Sequence, residues 1–129
     1  MVRSKTKIKR LVKEYVNALE PTINVDRIIL YGSYANGRPH RWSDIDLAIV
    51  SRDFAKKSLW QRQGILGRAL KNSDATVEAL GYSLAEYNHA IPQTFLGEIK
   101  RTGKVVYTRR KRRTAPTRQK LYVIEMVRT

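Results

Sequence analysis

With 129 residues, 42% of them apolar, the chain has the length of one domain with a core of its own, and the absence of cysteine excludes a disulfide framework and any thiolate metal site. Twenty-six Lys and Arg against eleven Asp and Glu give a formal net charge of +15, which favours acidic partners: nucleic acid, nucleotides or an acidic protein surface. No apolar run approaches the roughly 20 residues that cross a bilayer, and the basic start M-V-R-S-K-T-K-I-K-R leads into an interrupted amphipathic pattern unlike a signal peptide, so no membrane association and a cytoplasmic location are expected.

The first expected element is a helix from about Ser4 to Leu19. Ile8, Leu11, Val12, Tyr15, Val16 and Leu19 recur at helical spacing and form its core stripe, while Lys5, Lys7, Lys9, Arg10 and Lys13 cover the solvated face. Pro21 ends it, because it lacks an amide hydrogen and disfavours helical geometry in the residue before it. Val25 to Tyr31 is a strand running into Gly32-Ser33. That pair is a turn and a cap in its plainest form. The same geometry suits a phosphate, since a helix starting at Ser33 directs amide hydrogens and a hydroxyl at whatever lies beyond the strand. Gly37, Arg38 and Pro39 are expected to close this helix after about one turn, and His40, Arg41 and Trp42 follow in the same loop.

The next strand, I-D-L-A-I-V, spans Ile45 to Val50. Alternation puts Asp44 and Asp46 on one face and Ile45 and Leu47 on the core side. Adjacent carboxylates repel unless a cation neutralises them, although Asp44 after Ser43 is also a fitting start for a strand in a solvated turn. Lys57 to Lys71 has a helical pattern through Leu59, Trp60, Gln63, Leu66 and Leu70, with Trp60 placed in the core or on a partner surface. In T-V-E-A-L, Glu78 shares a face with Thr76 while Val77 and Ala79 turn away, and Asp74 beside Asn72 and Ser73 looks like a turn. Ser83 and Glu86 form a capping box, a further helix runs from about Gln93 to Arg101, and a strand covers Lys104 to Tyr107. His89, with no His or carboxylate at ligand spacing, is structural.

Charge is uneven along the chain. Residues 1 to 100 hold sixteen basic and ten acidic side chains, a net of +6, and residues 101 to 129 hold ten basic ones and Glu125, a net of +9. The sequence therefore divides into a domain at 1–108 and a basic, flexible tail at 109–129. The run T-R-R-K-R-R-T-A-P-T-R in that tail has no apolar periodicity. Leu121 to Val127 is apolar again and fits an edge strand, a partner contact or no role in the domain.

Gly32-Ser33 after one apolar strand, then ten intervening residues, then Asp44-x-Asp46 opening another strand, resembles the signature of the DNA polymerase beta-like nucleotidyltransferase superfamily. The minimal nucleotidyltransferases are its most similar branch. The likeness extends through D-A-T-V-E-A-L-G-Y-S and F-L-G-E-I-K-R-T-G-K-V-V-Y, over roughly residues 5 to 108. It implies an α+β fold, a mixed sheet with helices mainly on one side. It also implies Mg2+-dependent transfer of a nucleotide, AMP from ATP, to a hydroxyl of a macromolecular acceptor. Carried over, Gly32 and Ser33 hold the triphosphate, Asp44 and Asp46 bind the metal, and Glu78 is the third carboxylate. The resemblance further implies a HEPN-type toxin as protein partner and an antitoxin role. Two other classes stay open: a module that binds nucleotide or partner without turnover, and a nucleic-acid-binding protein acting through the basic tail.

Overall fold

The computed structural model of the chain describes residues 4–39, 44–73, 76–110 and 121–124. Helix α1, Lys5–Leu19, begins where Ser4 caps it, the Ser4 Oγ accepting from the Lys7 amide at 3.2 Å. Its buried stripe is the expected one, Ile8, Val12, Tyr15, Val16 and Leu19, and Pro21 follows the cap residue Glu20. Strands β1 (Arg27–Tyr31), β2 (Ile45–Val50), β3 (Val77–Tyr82), β4 (Lys104–Arg110) and β5 (Leu121–Ile124) form one sheet in the order β3-β2-β1-β4-β5. β2 and β3 are parallel and every other pair is antiparallel. The sheet is therefore mixed, as expected.

A parallel pair needs a crossover, and helix α2, Leu59–Ala69, supplies it between β2 and β3. Ser58 and Gln61 close a reciprocal capping box at its start, and a short 3-10 helix at Arg52–Lys56 precedes it. Helices α3 (Leu84–Asn88) and α4 (Phe95–Thr102) lie between β3 and β4. Ser83 and Glu86 form the expected capping box of α3, and Thr94 and Gly103 bound α4.

The two faces of the sheet carry different loads. Ile28, Leu30, Ile45, Leu47, Ile49 and Ala79 join the buried side chains of α1 and α2 in the larger core. Each aliphatic side chain fully buried there contributes about 1.5–3 kcal/mol. On the opposite face Ile29, Ala48 and Val50 pack with Tyr87 of α3 and Ile99 of α4 in a smaller cluster. The long helices thus share one side, and the two short ones cover part of the other.

Three expectations are corrected. Residues 32–37 are a run of turns, not a helix. Gly32 and Gly37 both take left-handed φ values, 75° and 71°, and the amides of Ala35 and Asn36 both donate to the Gly32 carbonyl, so the segment folds back before a helix can propagate. Of the two places expected for Trp60 the core is excluded, since the residue is 88% exposed: α2 buries the stripe through Arg62, Ile65 and Leu66 and turns Leu59 and Trp60 outward. Strand β4 runs to Arg110, past the strand end expected at Tyr107, and Leu121–Ile124 pair with it as the edge strand β5, one of the alternatives the sequence left open. The residues His40, Arg41, Trp42 and Asp74 and the basic stretch 111–120 lie outside the described residues. Among the described residues no helix is long and apolar enough to cross a membrane.

Candidate active site

β1 is apolar on both faces, with Ile28, Ile29 and Leu30 all buried, and this fixes where its last residue, Tyr31, and the following Gly32 emerge. Antiparallel pairing sets Tyr31 opposite Asp46, and parallel pairing sets Asp46 opposite Glu78. Tyr31, Asp46 and Glu78 consequently lie side by side on three neighbouring strands. The burial of Ile45 and Leu47 in the larger core holds Asp46 on the other face. Val77 and Ala79, both packed on that core, do the same for Glu78. Asp44, half-buried, stands immediately before β2.

Gly32 is confined by this arrangement. A Cβ built on it would overlap Asp46 Oδ2 and stand 3.1 Å from Asp46 Cγ, and its φ of 75° is one that other residues rarely adopt. Only glycine lets the chain leave β1 directly over the carboxylate. Ser33 follows within the turns, and its carbonyl accepts from the Arg38 amide at 3.0 Å.

The electrostatics are those of crowded negative charge. Partial burial pushes the Asp46 carboxyl above its ordinary range, and the Glu78 and Asp44 charges push it further. Tyr31 is raised well above the ordinary phenol value, by burial first and then by Asp46, Tyr82 and Glu78. No described cation forms an ion pair with Asp44, Asp46 or Glu78; the ion pairs among the described residues are Arg52–Asp26, Arg62–Glu86 and Arg101–Glu98.

Among the described residues no three His, Asp or Glu side chains are assembled as a ready-made metal cluster. The donor chemistry nevertheless fits magnesium, which commonly takes one or two carboxylates and completes its shell with substrate phosphates and water. The Asp46–Glu78 neighbourhood with Asp44 beside it supplies hard oxygen donors whose mutual repulsion a divalent cation would relieve. A groove between α1 and α2, bounded by Leu11, Tyr15, Ala18 and Leu70, belongs to the opposite side of the sheet and plays no part in this arrangement.

The sequence did not disclose one residue that supports the site. Arg62 is 6% exposed in α2 and donates to the carbonyls of Lys57, Phe54 and Gly81 and to the Glu86 carboxylate at 2.8 Å. It ties the crossover helix to β3 and α3. Its one signal was its position three and four residues before Ile65 and Leu66, the apolar residues that α2 buries. His89, expected to be structural, caps the end of α3 and is exposed.

A mixed sheet with carboxylates on neighbouring strands beside a strand-ending glycine is the frame of a nucleotidyl-transfer domain. The sequence profile of the family described as Polymerase beta, Nucleotidyltransferase matches residues 7–112, and the chain belongs to that family. No match is found among curated proteins. Among solved structures it is similar to a provisionally assigned nucleotidyltransferase from Sulfolobus solfataricus, with a TM-score of 0.61 and 17% identity, covering 84% of this chain and 92% of that one. At that identity the likeness concerns the fold.

Proposed function

We propose that the protein is a magnesium-dependent nucleotidyltransferase that moves AMP from ATP to a hydroxyl of a protein acceptor, a HEPN-type toxin partner, and so acts as its antitoxin. The observation that carries the catalytic part is the register of β2 against β3, which sets Asp46 beside Glu78 with Asp44 adding its charge. Membership of the family supports the reaction class. The partner and the antitoxin role rest on the sequence resemblance to minimal nucleotidyltransferases.

In this reading Asp44, Asp46 and Glu78 hold the cation, which when bound offsets negative charge on the phosphates. Gly32 and Ser33 receive the triphosphate where the chain turns away from β1. The acceptor oxygen forms a bond to the α-phosphorus, the bond from that phosphorus to the β-bridging oxygen breaks, and pyrophosphate departs. The proton of the attacking hydroxyl passes to a carboxylate, for which exposed Glu78 is the accessible group. Tyr31, held neutral by burial and by the same carboxylates, bounds the site without competing for that proton.

The test is co-expression with the proteins of adjacent reading frames, followed by intact-mass measurement of each. A nucleotide added to a partner by the wild type and not by the Asp44→Asn/Asp46→Asn protein is the expected result. Unchanged transfer by the double variant would remove the catalytic assignment. ATP binding with no transfer to any partner would leave a binding module in its place.

A further inference from the structure

Phe95, the first residue of α4, is 56% exposed, although the helix buries its other side through Gly97 and Ile99. An exposed apolar residue is ordinary in itself. The location of this one is not. Its ring meets Tyr31 edge-to-face, with centroids 5.8 Å apart and planes at 87°, and Tyr31 is the cross-strand neighbour of Asp46 and the residue before Gly32. An open aromatic surface therefore stands one side chain away from the crowded carboxylates. The larger exposed aromatic, Trp60, has no such setting, since it follows the far end of β2.

The ring is also held in place. Thr94 caps α4, its Oγ accepting from the Gly97 amide at 3.1 Å and donating to the Ile91 carbonyl at 2.6 Å. Gly97 lies so close to the backbone of Ile91 and Pro92 that a Cβ there would overlap the Ile91 carbonyl oxygen. The turn before α4 and its first turn are thereby clamped together, and the Tyr31 contact fixes the ring against the sheet.

We infer that Phe95 is the platform on which the base of the nucleoside triphosphate stacks, with Tyr31 as its buttress. The inference rests on the nucleotidyl-transfer reading of the same site. A nucleotide is anionic at one end and a flat π-system at the other, and the protein offers a carboxylate cluster suited to a metal-bound triphosphate and an open ring beside it. Stacking on an aromatic side chain tolerates any base and strengthens with the area of the base, so a purine is favoured over a pyrimidine.

The test is calorimetric titration of the wild type and of Phe95→Ala, Phe95→Leu and Phe95→Trp proteins with ATP and with inorganic tripolyphosphate, both in excess magnesium. Loss of a stacked base corresponds to roughly five- to hundredfold weaker binding. Phe95→Ala and Phe95→Leu are expected to lose ATP affinity by that factor while binding tripolyphosphate within about twofold of the wild type, and Phe95→Trp is expected to retain ATP affinity. The leucine protein keeps apolar bulk against Tyr31 and decides the matter if the alanine protein melts early. ATP affinity unchanged in Phe95→Leu overturns the platform and leaves the nucleotide site standing. Equal losses of ATP and tripolyphosphate overturn it by making Phe95 a scaffold residue. A wild type that binds neither compound removes the nucleotide site, and the platform with it.

Discussion

Asp46 carries a conflict that its replacement should expose. Its carboxyl is raised by burial and by two neighbouring carboxylates, so the folded protein holds that proton more tightly than the unfolded chain does. The sign follows: the folded state is relieved of the charge at low pH, and stability is lost as pH rises from the ordinary aspartate value through the raised one. Asp46→Asn should therefore melt at a higher temperature than the wild type at neutral pH in the absence of metal, with the difference closing as pH falls through that window, while nucleotidyl transfer is lost. Thermal melts across pH read the first effect, and transfer of label from α-labelled ATP reads the second. A neighbouring prediction concerns Gly32. Gly32→Ala places a Cβ over the Asp46 carboxylate on a left-handed backbone and should destabilise the fold by about 1–3 kcal/mol in urea unfolding, besides displacing the carboxylate.

The sequence marks Gly32 as punctuation after an apolar strand and the two aspartates as sharing a face. That Gly32 lies directly on Asp46 was not legible, because it depends on the antiparallel pairing of β1 with β2, which brings residues 14 apart in sequence together. The pairing of Asp46 with Glu78 was less legible still. A parallel register is set by what packs across the crossover and leaves no local pattern in either strand.

Among the elements, α2 departs most from its sequence pattern. Periodicity through Leu59, Trp60, Leu66 and Leu70 suggested one stripe, and the helix buries another, through Arg62, Ile65 and Leu66. A buried arginine reads as polar in any hydrophobic pattern, so the stripe was assigned to its apolar neighbours instead. The cost of removing that arginine should be large. Arg62→Met strips donors from the Lys57, Phe54 and Gly81 carbonyls and is expected to destabilise the protein by about 3–5 kcal/mol. Burial opposes ionisation of Glu86, but hydrogen bonds from Arg62 and Ser83 hold its carboxyl below the usual range. Its side chain is 48% exposed, so Glu86→Gln should cost about 1 kcal/mol or less. Trp60→Ala, at a position 88% exposed, should change stability by no more than about 0.5 kcal/mol. Urea unfolding of the three proteins side by side tests the ordering. α1, α3 and α4 were by contrast legible from caps and spacing, since Ser4, Ser83 and Gly103 stand where local hydrogen bonding needs them.

For the whole molecule, nucleotide binding should be visible as stability. A ligand that binds only the folded state at 100 times its dissociation constant adds about 2.7 kcal/mol. Magnesium with ATP should raise the melting temperature of the wild type by several degrees, chelation of the metal should abolish the shift, and the Asp44→Asn/Asp46→Asn protein should show none. Differential scanning fluorimetry with each component omitted in turn provides the check. The fold class was legible at this scale because strand and helix signals alternate in the order the family requires. The far edge of the sheet was not, since Leu121–Ile124 gain their place only by pairing with β4 across an intervening basic stretch.

The parallel junction between β2 and β3 makes the distance between Asp46 and Glu78 a property of the sheet rather than of either side chain. Neighbouring strands stand about 4.8 Å apart, a spacing that no substitution at those two positions can alter. What can alter it is α2, the longer of the two helical segments described between these strands. A cavity opened beneath Ile65 or Leu66, on the opposite side of the sheet from the two acids, would loosen the alignment of β3 against β2 and, if the proposed metal site is correct, be felt as a change in metal selectivity before it was felt as unfolding. The helix works as the gauge block of the proposed site, and its packing sets the tolerance to which the two acids are held.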